Sequence, residues 1–154
     1  EDVGMEAVNA FALSIGCSDT RINRRLGGDS DLQNYTTAAD CAQFLKLLYR
    51  YELVSPEYSA KMLEILKSQR INNRIPAKLP KGTVCAHKTG DLTELCCADV
   101  GLVFSPNADY IFSAVCNAPS SDAQAITDIA DLSLLVYDYY NPPEPEEPAE
   151  SPVP

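Results

Sequence analysis

The sequence predicts an α+β domain in which helices come first, an antiparallel meander follows, and a last helix covers the sheet. Apolar residues recur at helical spacing in three segments, at about 4–16, 36–52 and 55–68. Three strand-like runs follow with no helix between them, at about 82–89, 96–104 and 109–117. A fourth helical pattern at about 121–140 completes the order.

The first helical segment has one apolar face and ends at Gly16, a residue type that commonly follows a helix C-terminus. That face consists of Val8, Phe11, Ala12 and Ile15. Residues 17–35 are mostly polar and predict a loop. The second helix begins at Thr36 or Thr37, because Thr37-x-x-Asp40 resembles a capping box with Asp in place of Glu. Its predicted inner face is Cys41, Phe44, Leu45 and Leu48.

A serine, a proline and an acid in a row mark the start of the third helix at Ser55-Pro56-Glu57. We expect this helix to bury Tyr58, Met62, Leu63 and Leu66. Residues 69–80 are basic and are interpreted as a solvated connection. The basic residues are Arg70, Arg74 and Lys78.

Turn residues Ser105-Pro106-Asn107-Ala108 separate the second and third strands. The final helix is expected to turn Ile126, Ile129, Leu132 and Val136 inward. Residues 142–154 are rich in proline and glutamate and predict a disordered tail beyond a domain at 1–141.

Composition restricts the function classes. A chain of 154 residues with 45% hydrophobic residues is long enough for one domain with a sizeable core. The net charge of -10 argues against nucleic acid and anionic membrane surfaces as partners. No apolar run is long enough for a transmembrane span, and the first residues do not have the pattern of a signal peptide.

The six cysteines show no metal-type spacing, and the single His87 is not placed to join them, so no metal or other cofactor is expected. Several cysteines lie in apolar runs, which favours buried free thiols over a disulfide framework. A disulfide that uses Cys96 or Cys97 is the remaining alternative.

Lys88-Thr89-Gly90 is the strongest candidate for a binding motif. A lysine supplies positive charge, a threonine hydroxyl can hydrogen-bond a carboxylate, and a glycine lets a ligand backbone lie close to a strand. The alternative is that these residues bind nothing and form an exposed strand end with a turn glycine. The surrounding sequence favours the binding site.

With its neighbouring segments, the motif resembles the C-terminal half of class A β-lactamases and related penicillin-recognising serine hydrolases. The resemblance runs from about Val3 to Asn141 and rests on the order and spacing of several segments. These include Val8-Asn9-Ala10-Phe11, Thr20-Arg21-Ile22-Asn23-Arg24, Tyr35-Thr36-Thr37, Leu53-Val54-Ser55-Pro56, Ile75-Pro76-Ala77-Lys78-Leu79-Pro80-Lys81-Gly82, Lys88-Thr89-Gly90 and Cys97-Ala98-Asp99-Val100-Gly101.

The resemblance implies a β-lactam or a D-Ala-D-Ala cell-wall peptide as substrate and an acyl-enzyme mechanism. It implies that Lys88 attracts the substrate carboxylate and aids proton transfer. Thr89 would bind that carboxylate, Gly90 would permit close approach, and the backbone N–H of Asp91 would be an oxyanion-hole donor.

Two family elements are missing from these residues. No serine is followed three positions later by lysine, so the nucleophile motif Ser-x-x-Lys is absent, and we expect this chain alone to be inactive. The literal Ser-x-Asn match, Ser105-Pro106-Asn107, is interpreted as a turn. Both elements are expected upstream of Glu1. The alternative hypothesis is a non-catalytic carboxylate-binding or assembly module derived from the same fold.

The loop after Arg24 departs from the family pattern. Where class A enzymes carry a glutamate that activates the deacylating water, this chain has Leu26, which cannot act as a base. Asp29 is a weak candidate for the replacement and is otherwise a solvated loop acid. Cys97 stands where many relatives carry an arginine.

The family also predicts partners and location. Its sheet is completed by strands from the N-terminal segment, so the strand at Tyr110–Cys116 is expected to pair with an N-terminal fragment or with a second copy of the chain. The implied location is extracellular or in the cell envelope, where the wall and its antibiotics are found.

Overall fold

The computed structural model describes residues 3–27, 31–92 and 95–143. Within them, the structure has four helices and one antiparallel sheet. The helices are α1 (Met5–Ser14), α2 (Ala38–Tyr49), α3 (Pro56–Lys67) and α4 (Asp122–Tyr140). The strands are β1 (Val84–Leu92), β2 (Cys96–Phe104) and β3 (Tyr110–Asn117), and α2, α3 and α4 pack on them. The predicted α+β order is therefore confirmed.

The sheet is a meander in which chain order and spatial order coincide, β1-β2-β3. β1 extends to Leu92, three residues beyond its predicted end, because its pairing with β2 continues as far as Leu92 opposite Cys96. The predicted turn between β2 and β3 is held by a hydrogen bond from Ser105 Oγ to the Ala108 carbonyl at 2.6 Å. Among the described residues, the outer edges of β1 and β3 have no strand partner.

Each face of the sheet is covered by its own apolar cluster. On the side that we call the α4 face, α4 and the segment before β1 pack on the strands. This cluster includes Ile75, Leu79, Cys97, Val103, Tyr110, Ile129 and Tyr137. On the opposite side, the α2–α3 face, the cluster consists of Leu45, Leu48, Leu53, Leu63, Ala86 and Leu102. The strand alternation of β1 and β2 therefore separates two cores.

The helix starts follow the sequence signals. Thr37 Oγ1 accepts a hydrogen bond from the Asp40 N–H at 3.1 Å, and Ser55 Oγ accepts one from the Tyr58 N–H at 3.2 Å. Pro56 occupies the first position of α3, as predicted. Side-chain caps of this kind satisfy N–H groups that have no partner within the helix.

Asp40 differs from its expected capping role. Its carboxylate is buried and accepts hydrogen bonds from the Asp19 N–H at 2.8 Å and from Thr20 Oγ1 at 2.7 Å. The acid thus binds the loop that follows α1 to the first turn of α2.

The prediction that side chains face inward is wrong at three positions. Tyr58 is 56% exposed, Leu132 is 52% exposed and Phe11 is 41% exposed. In α3 and α4 the inner positions are taken by Ser59 and Ser133, both fully buried. Each serine hydroxyl donates to a backbone carbonyl of a neighbouring segment, and this polar contact turns the bulkier neighbour outward.

The last helix ends at Tyr140 and is followed by the cap residue Asn141, whose side-chain amide donates to Ser105 Oγ at 3.0 Å. Most of the predicted tail at 142–154 lies outside the described residues, and its disorder stays a prediction. Within the described residues, no helix has both the length and the apolar character needed to cross a bilayer.

Candidate functional site

Lys88, Thr89 and Gly90 lie in the second half of β1, at the open edge of the sheet. Lys88 is exposed on the α2–α3 side, where it borders an apolar cavity of about 300 Å³ lined mainly by α1 and α2. Its ammonium donates a hydrogen bond to the Thr89 carbonyl at 2.6 Å. A positive charge is therefore held beside the unpaired edge of the strand.

Thr89 and Gly90 have different surroundings, because successive strand residues point to opposite faces. Thr89 is only 4% exposed and faces Asp99 on β2. Gly90 is opposite Ala98, and a methyl group built on it would meet nothing closer than the Ala98 Cβ at 3.7 Å. Packing within the chain therefore does not require glycine at position 90.

Asp91 follows the motif, and its carboxylate forms an ion pair with the Arg74 guanidinium. The Arg74 side chain is 2% exposed, whereas that of Asp91 is 56% exposed. Arg74 also donates from Nε to Cys97 Sγ at 3.4 Å. The interpretation of residues 69–80 as a solvated connection is wrong for this arginine.

Arg74 brings a cation into contact with Cys97, the residue that stands where many relatives carry an arginine. Burial lowers the pKa of its guanidinium, but the contact with Cys97 and the charges of Asp91 and Asp99 outweigh burial and raise the pKa overall. The group stays charged. The signal in the sequence was its neighbour Ile75, an apolar residue directly after the arginine that anchors this segment in the core.

A second buried polar group lies beneath the motif. His87 Nδ1 is 2.9 and 3.1 Å from the two carboxylate oxygens of Asp99, and both side chains are almost fully buried. The same carboxylate accepts the Ile75 N–H at 3.1 Å. His87 Nε2 lies 3.0 Å from Asn72 Oδ1. This network fastens the segment that carries Arg74 to the two strands beside the motif.

Sequence reasoning missed the histidine–aspartate pair. The available signal was two polar residues at inward positions of adjacent strands, since both His87 and Asp99 interrupt otherwise apolar runs.

Gly101 makes room for the histidine. It is the register partner of His87, and a methyl group built on it would lie 2.5 Å from the His87 Cβ and 2.9 Å from the Ala86 carbonyl oxygen. Contacts this short do not occur between unbonded atoms of these types. The close approach of β1 and β2 at this point therefore requires glycine.

The loop that would carry the deacylating base in the family is fastened to α1. Asn9 forms two hydrogen bonds with the backbone of Ile22, at 2.7 and 2.9 Å. Leu26 is 82% exposed and offers no base. Asp29, the candidate replacement, lies outside the described residues, and its role stays a prediction.

The cysteines are free, and three of them are buried: Cys17, Cys85 and Cys97. Burial raises the pKa of the Cys85 thiol to about 11, with a smaller contribution from Asp99. Among the described residues, no group of three or more His, Cys, Asp or Glu side chains is arranged to hold a metal ion.

Comparison with known proteins is consistent with this geometry. The model of the β-lactamase enzyme family matches residues 1–140. Over 76 residues the chain is 34% identical to β-lactamase VEB-1 of Pseudomonas aeruginosa, an alignment that covers 45% of this chain and 25% of VEB-1.

Two solved structures share the fold. A β-lactamase from Sphaerobacter thermophilus superposes with a TM-score of 0.82 at 27% identity, over 93% of this chain and 56% of that chain. PBP-A superposes with a TM-score of 0.81 at 29% identity, over 90% of this chain and 52% of that chain. The chain therefore spans about half the length of these structures. On the match of the family model across nearly all the described residues, the chain belongs to the β-lactamase enzyme family.

Proposed function

We propose that this chain provides the substrate-binding strand of a serine hydrolase that acts on β-lactams or on D-Ala-D-Ala cell-wall peptides through an acyl-enzyme. The observation that carries the proposal is the position of Lys88-Thr89-Gly90 on an open sheet edge in a member of the β-lactamase family. The nucleophile would come from outside these 154 residues, which contain no Ser-x-x-Lys.

An open strand edge is suited to an extended ligand. The backbone groups of β1 can hydrogen-bond a peptide-like substrate as an added strand. Gly90 favours this approach, because no packing contact in the chain accounts for its missing side chain. The Asp91 N–H, one residue further on, would donate to the oxyanion that forms when the substrate carbonyl is attacked.

Positive charge supports recognition of the substrate carboxylate. Lys88 would attract the carboxylate at the strand edge and aid proton transfer. The Thr89 hydroxyl lies on the other face of the strand and is nearly buried, so it would donate a hydrogen bond to the same carboxylate only after a local rearrangement that exposes it. Arg74 adds a second cation close to the same strand, although Asp91 now neutralises part of its charge. Binding would therefore involve competition between the substrate carboxylate and Asp91 for the guanidinium.

We expect slow deacylation, because Leu26 stands where the family carries the base that activates the deacylating water. Without a base at that position, an acyl-enzyme would persist, which favours a penicillin-binding or peptidase-like role over rapid antibiotic hydrolysis. PBP-A, one of the structural relatives, has been solved in a mutant form as an acyl-enzyme complex with penicillin G. That observation supports the proposal by likeness of fold.

We further propose that the open edge of β3, at Tyr110–Cys116, and the apolar cavity beside Lys88 are covered in the working protein. The cover would be the N-terminal part of the same domain or a second copy of the chain, and the protein would act outside the cytoplasmic membrane. Amide hydrogen exchange at 110–116 tests this proposal. Every second amide of β3 already donates to β2, so the test concerns the outward-facing amides of Ile111, Ser113 and Val115. These amides should exchange rapidly in the bare 154-residue chain if it is monomeric, and slow exchange at them in a strict monomer would contradict the proposal.

Covalent labelling with a fluorescent penicillin tests the main proposal. The gene product, with any residues that precede Glu1, should become labelled, and Lys88→Ala should slow labelling at least tenfold. Lys81→Ala is the matched control, because Lys81 is an exposed lysine before the same strand and lies outside the motif. We expect the control to label at the wild-type rate.

Two outcomes would change the conclusion. An unlabelled gene product that still binds penicillin reversibly would support a non-catalytic carboxylate-binding module. Labelling of the purified 154-residue chain would contradict the claim that its nucleophile lies elsewhere.

A further inference from the structure

Cys97 on β2 and Cys116 on β3 are direct register partners. Both are free thiols, and both belong to the apolar cluster on the α4 face, so their side chains project from the same side of the sheet. Cys97 is 1% exposed, whereas Cys116 is partly exposed. In the 154-residue chain, one thiol of the pair is thus open to a reagent and the other lies beside it.

The Cα spacing of this pair lies within the range of disulfides, and the Cβ atoms would move together by up to about 1 Å on closure. Two residues away, the Ala118 N–H donates to the Leu95 carbonyl at 2.8 Å, which marks a hydrogen-bonded pair of the ladder. Such pairs recur at every second position, so Cys97 and Cys116 form the next one, with their Cα atoms about 5.5 Å apart. Disulfides most often join Cα atoms separated by roughly 5.5–6 Å.

We propose that Cys97 and Cys116 are a redox-active pair that forms a cross-strand disulfide by exchange with a low-molecular-mass disulfide such as oxidised glutathione. In the first step the Cys116 thiolate attacks one sulfur of the reagent, which forms a mixed disulfide and releases one glutathione thiolate. In the second step the Cys97 sulfur attacks Cys116, and the second glutathione leaves. Two electrons pass to the reagent, and the two cysteine protons go to water or to the released thiolates.

The surroundings of Cys97 favour its part in the second step. Arg74 donates a hydrogen bond from Nε to Cys97 Sγ, and a charged donor stabilises negative charge that develops on its acceptor. The same contact would be lost or weakened once the sulfur enters a disulfide. The redox state of the pair would therefore influence the guanidinium that also binds Asp91.

Cys96 is a poor competitor, although it is adjacent in sequence. Consecutive strand residues point to opposite faces, so the Cys96 side chain projects away from Cys116 and its register partner is Asn117. Burial, followed by the nearby thiols of Cys97 and Cys116, raises the pKa of Cys96 and reduces its thiolate fraction.

Thiol counting on the full chain tests the proposal. The protein is equilibrated with mixtures of reduced and oxidised glutathione up to the oxidised form alone, and free thiols are then titrated in denaturant. The chain has six cysteines, and we expect four free thiols after oxidation, with loss of two hydrogen atoms and no added glutathione in the intact mass.

Single substitutions identify the partners. Cys116→Ser should abolish the intramolecular disulfide, and so should Cys97→Ser, whereas the control Cys96→Ser should still form it. Cys116 is partly exposed, so its serine variant tests the proposal even if Cys97→Ser fails to fold. The proposal is overturned if the wild-type chain keeps six thiols in oxidised glutathione alone, if Cys116→Ser still forms a disulfide, or if Cys96→Ser does not.

Discussion

Substitution of Gly101 by alanine tests the packing between β1 and β2 that positions Lys88-Thr89-Gly90. The added methyl carbon would lie 2.5 Å from the His87 Cβ, 2.9 Å from the Ala86 carbonyl oxygen and 3.0 Å from the His87 Cα. Favourable carbon contacts require about 3.5–4.0 Å, so the overlap with His87 is about 1 Å. The atoms in the way belong to or adjoin the backbone, and they cannot be relieved by a side-chain rotation.

The expected cost is large for a single methyl group. Overpacked cores lose about 1–3 kcal/mol, and we expect about 3 kcal/mol here because Asp99 holds the His87 ring in place. For a chain of this size that loss lowers Tm by roughly 6–12 °C. Urea unfolding followed by circular dichroism, together with a thermal scan, measures both quantities.

Gly90→Ala is the matched control on the same pair of strands. Its methyl group would meet only the Ala98 Cβ at 3.7 Å, an ordinary contact, so we expect the free energy of unfolding to stay within about 0.5 kcal/mol of wild type. Penicillin labelling of the gene product should nevertheless slow in this variant, because the strand loses clearance for a ligand. A Gly101→Ala variant as stable as Gly90→Ala would refute the reasoning.

Three further predictions concern stability. Ser59→Ala should cost about 1–3 kcal/mol in urea unfolding, because the buried hydroxyl serves both the N–H and the carbonyl of Leu53, whereas the exposed Ser68→Ala should be near neutral. Val54→Gly should stabilise the chain by about 1 kcal/mol, because valine at a φ of 62° is strained; an unchanged or lower midpoint would contradict this. The free energy of unfolding should fall as pH rises from about 9 to about 11, because the Cys85 pKa is raised in the folded state and the unfolded thiol ionises first. Denaturation at several pH values measures this fall, and Cys85→Ala should flatten it.

The fold could be predicted from the sequence because its signals are local. The N-caps at Thr37 and Ser55 and the turn at Ser105 each depend on a few neighbouring residues, and the structure confirms them. The motif at Lys88 was recognisable for the same reason. Its roles in binding and catalysis stay predictions.

The missed features depend on contacts between distant residues. Arg74 is charged and lies in a polar-looking segment, yet it is buried because Asp91 and Cys97, far along the chain, supply its partners. Likewise, Tyr58 turns outward because Ser59 bonds the backbone of Leu53, a contact that apolar periodicity does not encode. Periodicity ranks residues by hydrophobicity and therefore misplaces buried polar groups.

The meander order of the sheet has a consequence for how the chain folds. β1, β2 and β3 are neighbours in sequence as well as in space, so each pairing closes only a short loop and costs little chain entropy. Proteins dominated by such local contacts fold faster than proteins whose contacts join residues far apart in the sequence. We therefore expect β1 to acquire its twist and register early. The slow steps would be those in which the outer edges of β1 and β3 pair with segments from outside this sheet.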